Sequence, residues 1–243
     1  MISIFQKNKY LSDYLEGFTD FHNHILPGID DGAATIQDSL DIIKEFGEIG
    51  VKNFVATPHV MGEFYPNEPG TIKNALSILK KEIPENVAIS ASGEYMMDQF
   101  LIEQLENENV TPLVDKKVLV EMSYFQAPIN LNEILFKLQN SSFQPILAHP
   151  ERYAFFHTRD LAKYEDLKER GCTFQLNMLS LTPHYGGNMQ KVAYKLLETN
   201  MIDFISSDAH KVAHLEKIKN IKLSKKQGKL IEPVIEKSKA LFS

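Results

Sequence analysis

The chain has 243 residues, 43% of them hydrophobic and 24% charged, and a formal net charge of −6. That length supports one sizeable core, and the acidic balance argues against a nucleic-acid surface, which is ordinarily basic. The lone cysteine, Cys172, excludes an intramolecular disulfide, and no stretch reaches the roughly 20 apolar residues of a membrane span.

Residues 1–17 mix Lys7, Lys9, Asp13 and Glu16 with scattered apolar residues. They lack the continuous apolar core of a signal peptide. They are expected to form an N-terminal arm ahead of a single domain over 18–243, in a cytoplasmic protein. Seven apolar, β-branched or aromatic runs then predict strands at 18–22, 53–57, 87–93, 117–122, 144–149, 173–177 and 202–206. Ser39, Leu40, Ile42, Ile43, Phe46 and Ile49 have the spacing of a helix ending at Gly47 and Gly50. Ile72, Leu76, Leu79 and Ile83 predict a second, stopped by Pro84. Helical periodicity continues over 100–105, 131–138, 161–167 and 192–197, and 222–243 reads as a closing amphipathic helix. Its Lys222, Lys225, Lys226 and Lys229 suit a solvated face. Strand and helix alternating over short connections imply a parallel sheet. A doubly wound sheet would gather its site at one switch point. Here nearly every strand ends in a polar group, which favours a closed, irregular barrel.

Those strand ends carry the chemistry. Asp20-Phe21-His22-Asn23-His24 places two imidazoles two residues apart, on one side of an extended strand. Asp20 lies on the same side and is expected either to orient a ligand or to cap the strand. Asp30-Asp31-Gly32 follows in a loop, and Thr57-Pro58-His59 ends the second strand. Gly93-Glu94 ends the third, with a glycine suited to close approach. Glu121 ends the fourth, where an unpaired carboxylate would be costly to bury. His149-Pro150-Glu151-Arg152-Tyr153 joins an imidazole to a guanidinium suited to phosphate, although the plainer reading pairs Arg152 with Glu151 or another nearby acid. Ser207-Asp208-Ala209-His210 repeats the two-residue spacing of the first strand. His157, His184 and His214 lack such placement and read as surface or rim histidines. Nine donors (His22, His24, Asp31, His59, Glu94, Glu121, His149, Asp208 and His210) suit two or three metal ions. A set without thiolate fits Mn, Fe or Zn. No phosphate-binding P-loop, dinucleotide fingerprint or nucleophile elbow is present, and Cys172 lacks the Cys-x5-Arg loop of thiol phosphatases.

In order and wording these motifs resemble the polymerase-and-histidinol-phosphatase (PHP) superfamily. Within it, His24-Ile25-Leu26-Pro27-Gly28-Ile29-Asp30-Asp31-Gly32 and Ala148-His149-Pro150-Glu151-Arg152-Tyr153 are similar to the CpsB/YwqE-type bacterial protein-tyrosine phosphatases. The resemblance spans about residues 18–215. It implies a distorted (β/α)7 TIM-like barrel of the PHP fold, with a trinuclear centre that uses divalent ions, manganese first among them. One ion would be held by His22, His24, Glu94 and Asp208, and a second by Glu94, Glu121 and His149. The third would be held by Asp31, His59 and His210, with Asp30 a near-equal candidate for Asp31. Arg152, Asp208 and His210 are the expected catalytic residues, and Arg152 also matches the family's phosphate anchor. The family often carries a second arginine after the Asp-x-His motif. Here the segment reads Lys211-Val212-Ala213-His214-Leu215, so Lys211 or His214 is expected to bind substrate in its place.

The implied activity is metal-dependent hydrolysis of phosphotyrosine on a protein. The implied partner is the tyrosine-rich tail of a bacterial tyrosine kinase controlling capsule or exopolysaccharide synthesis. Neither nucleic acid nor membrane insertion is expected, and oligomers are left open. The rival readings are a small-molecule phosphoesterase such as a histidinol-phosphate phosphatase and a non-catalytic scaffold on the same barrel.

Overall fold

A computed structural model describes residues 9–157 and 160–243. Residues 1–8 of the expected arm lie outside the described residues. In chain order the elements are β1 (Lys9–Tyr10), β2 (Thr19–Asp20), α1 (Ile36–Gly47), β3 (Asn53–Ala56), β4 (His59–Val60) and α2 (Pro69–Leu79). Next come β5 (Ala88–Ala91), β6 (Glu94–Met96), α3 (Gln99–Glu106), β7 (Lys117–Glu121), α4 (Leu131–Asn140), β8 (Gln144–Ala148) and α5 (Ala162–Glu169). The last are β9 (Thr173–Asn177), α6 (Gly187–Glu198), β10 (Phe204–Ser206), α7 (Val212–Lys219), β11 (Lys222–Leu223) and α8 (Lys225–Ala240).

β3 and β4 are two halves of one strand interrupted at Thr57-Pro58, and β5 and β6 are halves of another interrupted at Ser92-Gly93. Ala56 pairs with Ala91 and His59 with Glu94, so the register carries straight across both interruptions. The parallel orders β2-β3-β5 and β4-β6-β7-β8-β9-β10 therefore join into one sheet. It closes where β2 and β10 run on. His24 N–H donates to the Ala209 carbonyl (2.9 Å), and Asp208 N–H to the His22 carbonyl (2.7 Å). Each of the seven predicted runs is a strand of this distorted (β/α)7 barrel.

The middle strands β7 and β8 are largely apolar because both of their faces are buried. Leu119, Ile146 and Ala148 point inward with Phe21, Val55 and Phe204. Their neighbours Val118, Val120 and Leu147 belong to the large core beneath the helices. Leu241 and Phe242, just past α8, pack against the inner cluster and plug the barrel floor. The Phe242 ring lies 5.5 Å from that of Phe21. At three helix starts a side chain satisfies a free amide. Thr35 and Asp38 form a capping box on α1, and Ser224 and Gln227 form one on α8, each cap contributing about 1 kcal/mol.

The barrel departs from the expected outline at its ends. Residues 222–243 do not form one helix, because β11 first pairs antiparallel with β1. Within the expected arm, Leu11 and Leu15 are fully buried, and Leu11 N–H donates to the Ile221 carbonyl. Lys222 and Lys225 stand on different elements. α7 has no counterpart among the predicted helices. With eight residues and only Leu215 and Ile218 buried, it gives little periodicity to read.

No helix of the described residues is long and apolar enough to cross a membrane. Cys172 is 3% exposed, and burial pushes its thiol up to about 12. The neutral form therefore persists across the working pH range. Native protein treated with iodoacetamide at pH 8 is expected to remain unlabelled and fully active. Rapid labelling with loss of activity would place a reactive thiol at the site.

Candidate metal centre

The interruptions that split two strands sit at the rim where the donors gather. Gly93 allows β6 to approach β4, since a Cβ there would meet Val60 Cγ2 at 2.7 Å. Gly32 does the same for the Asp-Asp-Gly loop, where a Cβ would lie 2.1 Å from the His24 carbonyl oxygen. His149 (φ +36°) and Asp208 (φ +52°) both hold left-handed backbone at strand ends. A non-glycine residue adopts that conformation at a cost, and such strain collects at functional sites.

Three groups of side chains bring ligand atoms within 4.8 Å of one another: His22 with His24, Glu94 and Asp208; His24 with Asp31, His59 and His210; and His59 with Glu94 and Glu121. The first is the set expected for one ion. The second adds His24 to the expected Asp31, His59 and His210. In the third, His59 stands where His149 was expected. His149 Nε2 lies 3.1 Å from Glu94 Oε1, while Glu121 Oε1 meets His59 Nδ1 at 2.8 Å.

The two adjacent aspartates divide the work. Asp30 Oδ2 accepts from the His59 amide (3.1 Å) and lies 2.7 Å from His24 Nδ1, while its Oδ1 accepts from the Gly32 amide. Asp30 thus shapes the loop and orients an imidazole. Asp31 is half-exposed, its Oδ1 3.4 Å from both His59 Nε2 and His210 Nε2. Among the described residues no hydrogen bond joins Asp20 to an imidazole. It accepts from the Ser206 and Ser207 hydroxyls, the Ser207 amide and Asn23 Nδ2, and so locks β2 to β10.

Burial works against charge throughout this cluster, and neighbouring charges overcome it. Glu94 and Asp208 are fully buried, yet the imidazoles around them hold both well below the usual carboxylate range. For His59, burial and His24 oppose protonation, but Glu94 and Glu121 outweigh them and push it up to about 10. Glu121 moves the other way, up to about 7, through burial and the adjacent Glu94 charge. The carboxylates demand positive charge at their centre, and imidazoles supply it only by taking protons.

His22 Nε2, His24 Nε2, His59 Nδ1, Glu94 Oε2 and Glu121 Oε1 are buried and lack a hydrogen-bond partner. Several lie within ion-pair distance of one another, such as Glu121 Oε1 and His59 Nδ1 at 2.8 Å, yet no hydrogen bond joins them. Buried polar atoms left unpaired are costly. Nitrogen and oxygen donors converging in this way fit divalent cations.

Beside this cluster Arg152 is clamped. Its Nη1 donates to Asp208 Oδ2 (2.7 Å). Its guanidinium lies 4.6 Å from the Tyr124 ring centre and 4.1 Å from that of Tyr185. The acid that pairs with Arg152 is thus Asp208 and not Glu151. Glu151 turns inward and accepts from the Asn177 amide. Burial and the Arg152 charge also push His149 down to about 4.

The family description "Capsular polysaccharide synthesis, CpsB/CapC" matches residues 18–231. The chain belongs to the CpsB/CapC family. Tyrosine-protein phosphatase YwqE of Bacillus subtilis (strain 168) is 31% identical over 203 residues, 79% of this chain and 77% of YwqE. Tyrosine-protein phosphatase CpsB of Streptococcus pneumoniae is 26% identical over 200 residues, 79% of this chain and 82% of CpsB. A crystal structure from the study of YwqE and CpsB, described there as unique metal-dependent tyrosine phosphatases, superposes with TM-score 0.79 at 26% identity. It covers 92% of this chain and 93% of the other. The phosphotriesterase homology protein of Escherichia coli, at TM-score 0.55 and 13% identity, shares the fold.

Several groups around this CpsB/CapC site were not legible as site residues. Gln175 Oε1 lies 2.8 Å from His22 Nδ1, and Asn177 Nδ2 donates to Asp208 Oδ2 at 2.9 Å. Their signal is alternation: on β9 two polar residues take turns with Phe174 and Leu176 in a strand buried from Phe174 onward. Tyr124 comes from a loop and Tyr185 from a short 3-10 turn over Pro183–Tyr185, and neither left a pattern. Among the rim histidines, His157 caps the Glu151 carbonyl at 2.8 Å. His214 Nδ1 accepts from the His210 amide, and its ring lies 5.7 Å from His184. Lys211 is exposed at the start of α7, on a side pocket shared with Asp38 and Asp41.

Proposed function

We propose that this protein is a metal-dependent protein-tyrosine phosphatase. The observation that carries the reading is the convergence of unpaired buried donors beside a clamped arginine. His22, His24, Glu94 and Asp208 would hold one divalent ion. Asp31, His59 and His210 would hold another, with His24 at its edge. Glu94, Glu121 and His149 would hold a third, for which His59 competes. Divalent ions bound there would lower the pKa of water and offset charge on phosphoryl oxygens. Manganese is the expected ion, with iron or zinc as alternatives.

The chain's own groups do the positioning. Arg152, sandwiched between Tyr124 and Tyr185, presents a planar fork to the phosphoryl oxygens. Asp208 fixes that fork from one side through Oδ2 while its Oδ1 faces His22 and His24 at 3.3 Å. Phosphate anchoring and the cation cluster are therefore one rigid unit. Lys211 and His214 are assigned to the rim on the substrate side, with His214 held against His210. Residues 18–243 form the catalytic domain in this reading. Its partner is a phosphotyrosine protein, a bacterial tyrosine kinase of the capsule system, in the cytoplasm where ATP phosphorylates tyrosine.

Protein loaded with manganese is expected to release phosphate from phosphotyrosine peptides faster than from histidinol phosphate. The reverse order would favour the small-molecule phosphoesterase, and no hydrolysis of either would favour the scaffold. Gln175→Leu removes the group that orients His22. It is expected to weaken metal binding by about 10–100-fold, read by competition with a fluorescent chelator. Unchanged affinity would show that His22 needs no such support.

A further inference from the structure

A second cavity, of about 790 Å³, opens on the same rim, lined by Met61, Phe64, Met96, Phe100, Phe125 and Pro128 among others. We propose that it docks the polypeptide flanking the phosphotyrosine, and that it selects a flank carrying apolar and basic side chains. The proposal rests on the phosphatase reading above.

Continuity with the site is the first argument. Met61, Met96 and Ser123 line the cavity, and each lies two residues beyond a candidate ligand: His59, Glu94 and Glu121. Met96 is on β6 with Glu94, so the two share a strand face. From the phosphate anchor the surface runs straight on. Tyr124 packs against Arg152, and the next residue, Phe125, forms a cavity wall. A chain whose phosphotyrosine reaches Arg152 therefore places its neighbouring residues over this groove.

Exposure is the second argument. Phe125 is 93% exposed and Phe64 72% exposed, and apolar surface gathered in this way beside polar residues marks an interaction site. Charge is the third. The charged side chains lining the cavity are Glu63, Asp98 and Glu103, and no cation is among its described lining residues. Asp98 is committed to the wall, its Oδ1 accepting from the Leu101 amide and its Oδ2 from the Gly62 amide. Glu63 and Glu103 remain at the surface, where they attract a basic flank and repel an acidic one.

The test uses full-length, metal-loaded protein and three substrates. These are p-nitrophenyl phosphate, a phosphotyrosine peptide flanked by Phe and Lys, and the same peptide flanked by Gly and Glu. The first peptide is expected to exceed the second in kcat/KM by roughly tenfold, mostly through KM. Phe64→Ser with Phe125→Ser should bring the two peptides within about twofold and leave p-nitrophenyl phosphate hydrolysis unchanged. Glu63→Lys with Glu103→Lys, both exposed, should also narrow the preference while leaving the apolar wall in place. Binding of the same peptides carrying a non-hydrolysable phosphonate is measured in parallel, so a protein without phosphatase activity still decides the groove. Equal treatment of both peptides by the parent protein would overturn the proposal. So would equal losses on all three substrates in the variants. A dimer in solution that Phe125→Ser dissociates, with peptide preference unchanged, would assign the groove to a second copy instead. Failure of all hydrolysis with a retained binding preference would sink the phosphatase reading alone.

Discussion

Glu94→Gln is expected to lower turnover of a phosphotyrosine peptide by on the order of 10³-fold or more and to reduce bound metal. Glu94 is the hub of the centre. Its Oε1 lies 3.1 Å from both His22 and His149, and its Oε2 lies 3.4 Å from His24 and 3.0 Å from His59. The amide keeps the shape of the side chain and removes the charge that four imidazoles face. The core and the sheet around it are untouched, so circular dichroism and thermal unfolding should stay close to the parent. Metal analysis by mass spectrometry and a single-turnover assay check the result together. Full metal content with activity within tenfold of the parent would remove Glu94 from the centre.

Arg152→Ala should separate from that variant cleanly. It is expected to cost about 10²–10³ in kcat/KM for phosphotyrosine substrates while leaving metal content intact. Arg152→Lys should recover only part of the loss. An ammonium keeps the charge but lacks the flat fork that fills the slot between Tyr124 and Tyr185. Asp208 retains its hydrogen bond from Asn177 in either variant, so its geometry survives. Wild-type kcat/KM for Arg152→Ala would take the phosphate anchor away from this residue.

The barrel was readable because its middle strands are buried on both faces and its donors follow the strands at short, fixed spacing. His22 and His24, Asp208 and His210 announced themselves by that spacing, and Glu94 and Glu121 by closing apolar runs. Other features depended on how distant segments fold back. Adjacent Asp30 and Asp31 look alike in sequence, and only the turn at Gly32 sends one to the His59 amide and the other toward His210. The partner of Glu121 depends on how β4 and β7 approach through β6, and the structure brings His59 there ahead of His149. Tyr124 and Tyr185 meet Arg152 from separate short segments, so no periodicity marks them. Gln175 and Asn177 did leave a trace, as polar residues in a strand that buries every neighbour. Leu11 and Leu15, in the expected arm, look like incidental apolar residues until α7 and α8 fold back over that segment.

The most direct test of the central claim is phosphate release from a phosphotyrosine peptide before and after treatment with EDTA, followed by added manganese. The site geometry predicts loss of activity on chelation and its return with the ion. Undiminished hydrolysis in excess EDTA would contradict a metal-dependent centre built from these residues.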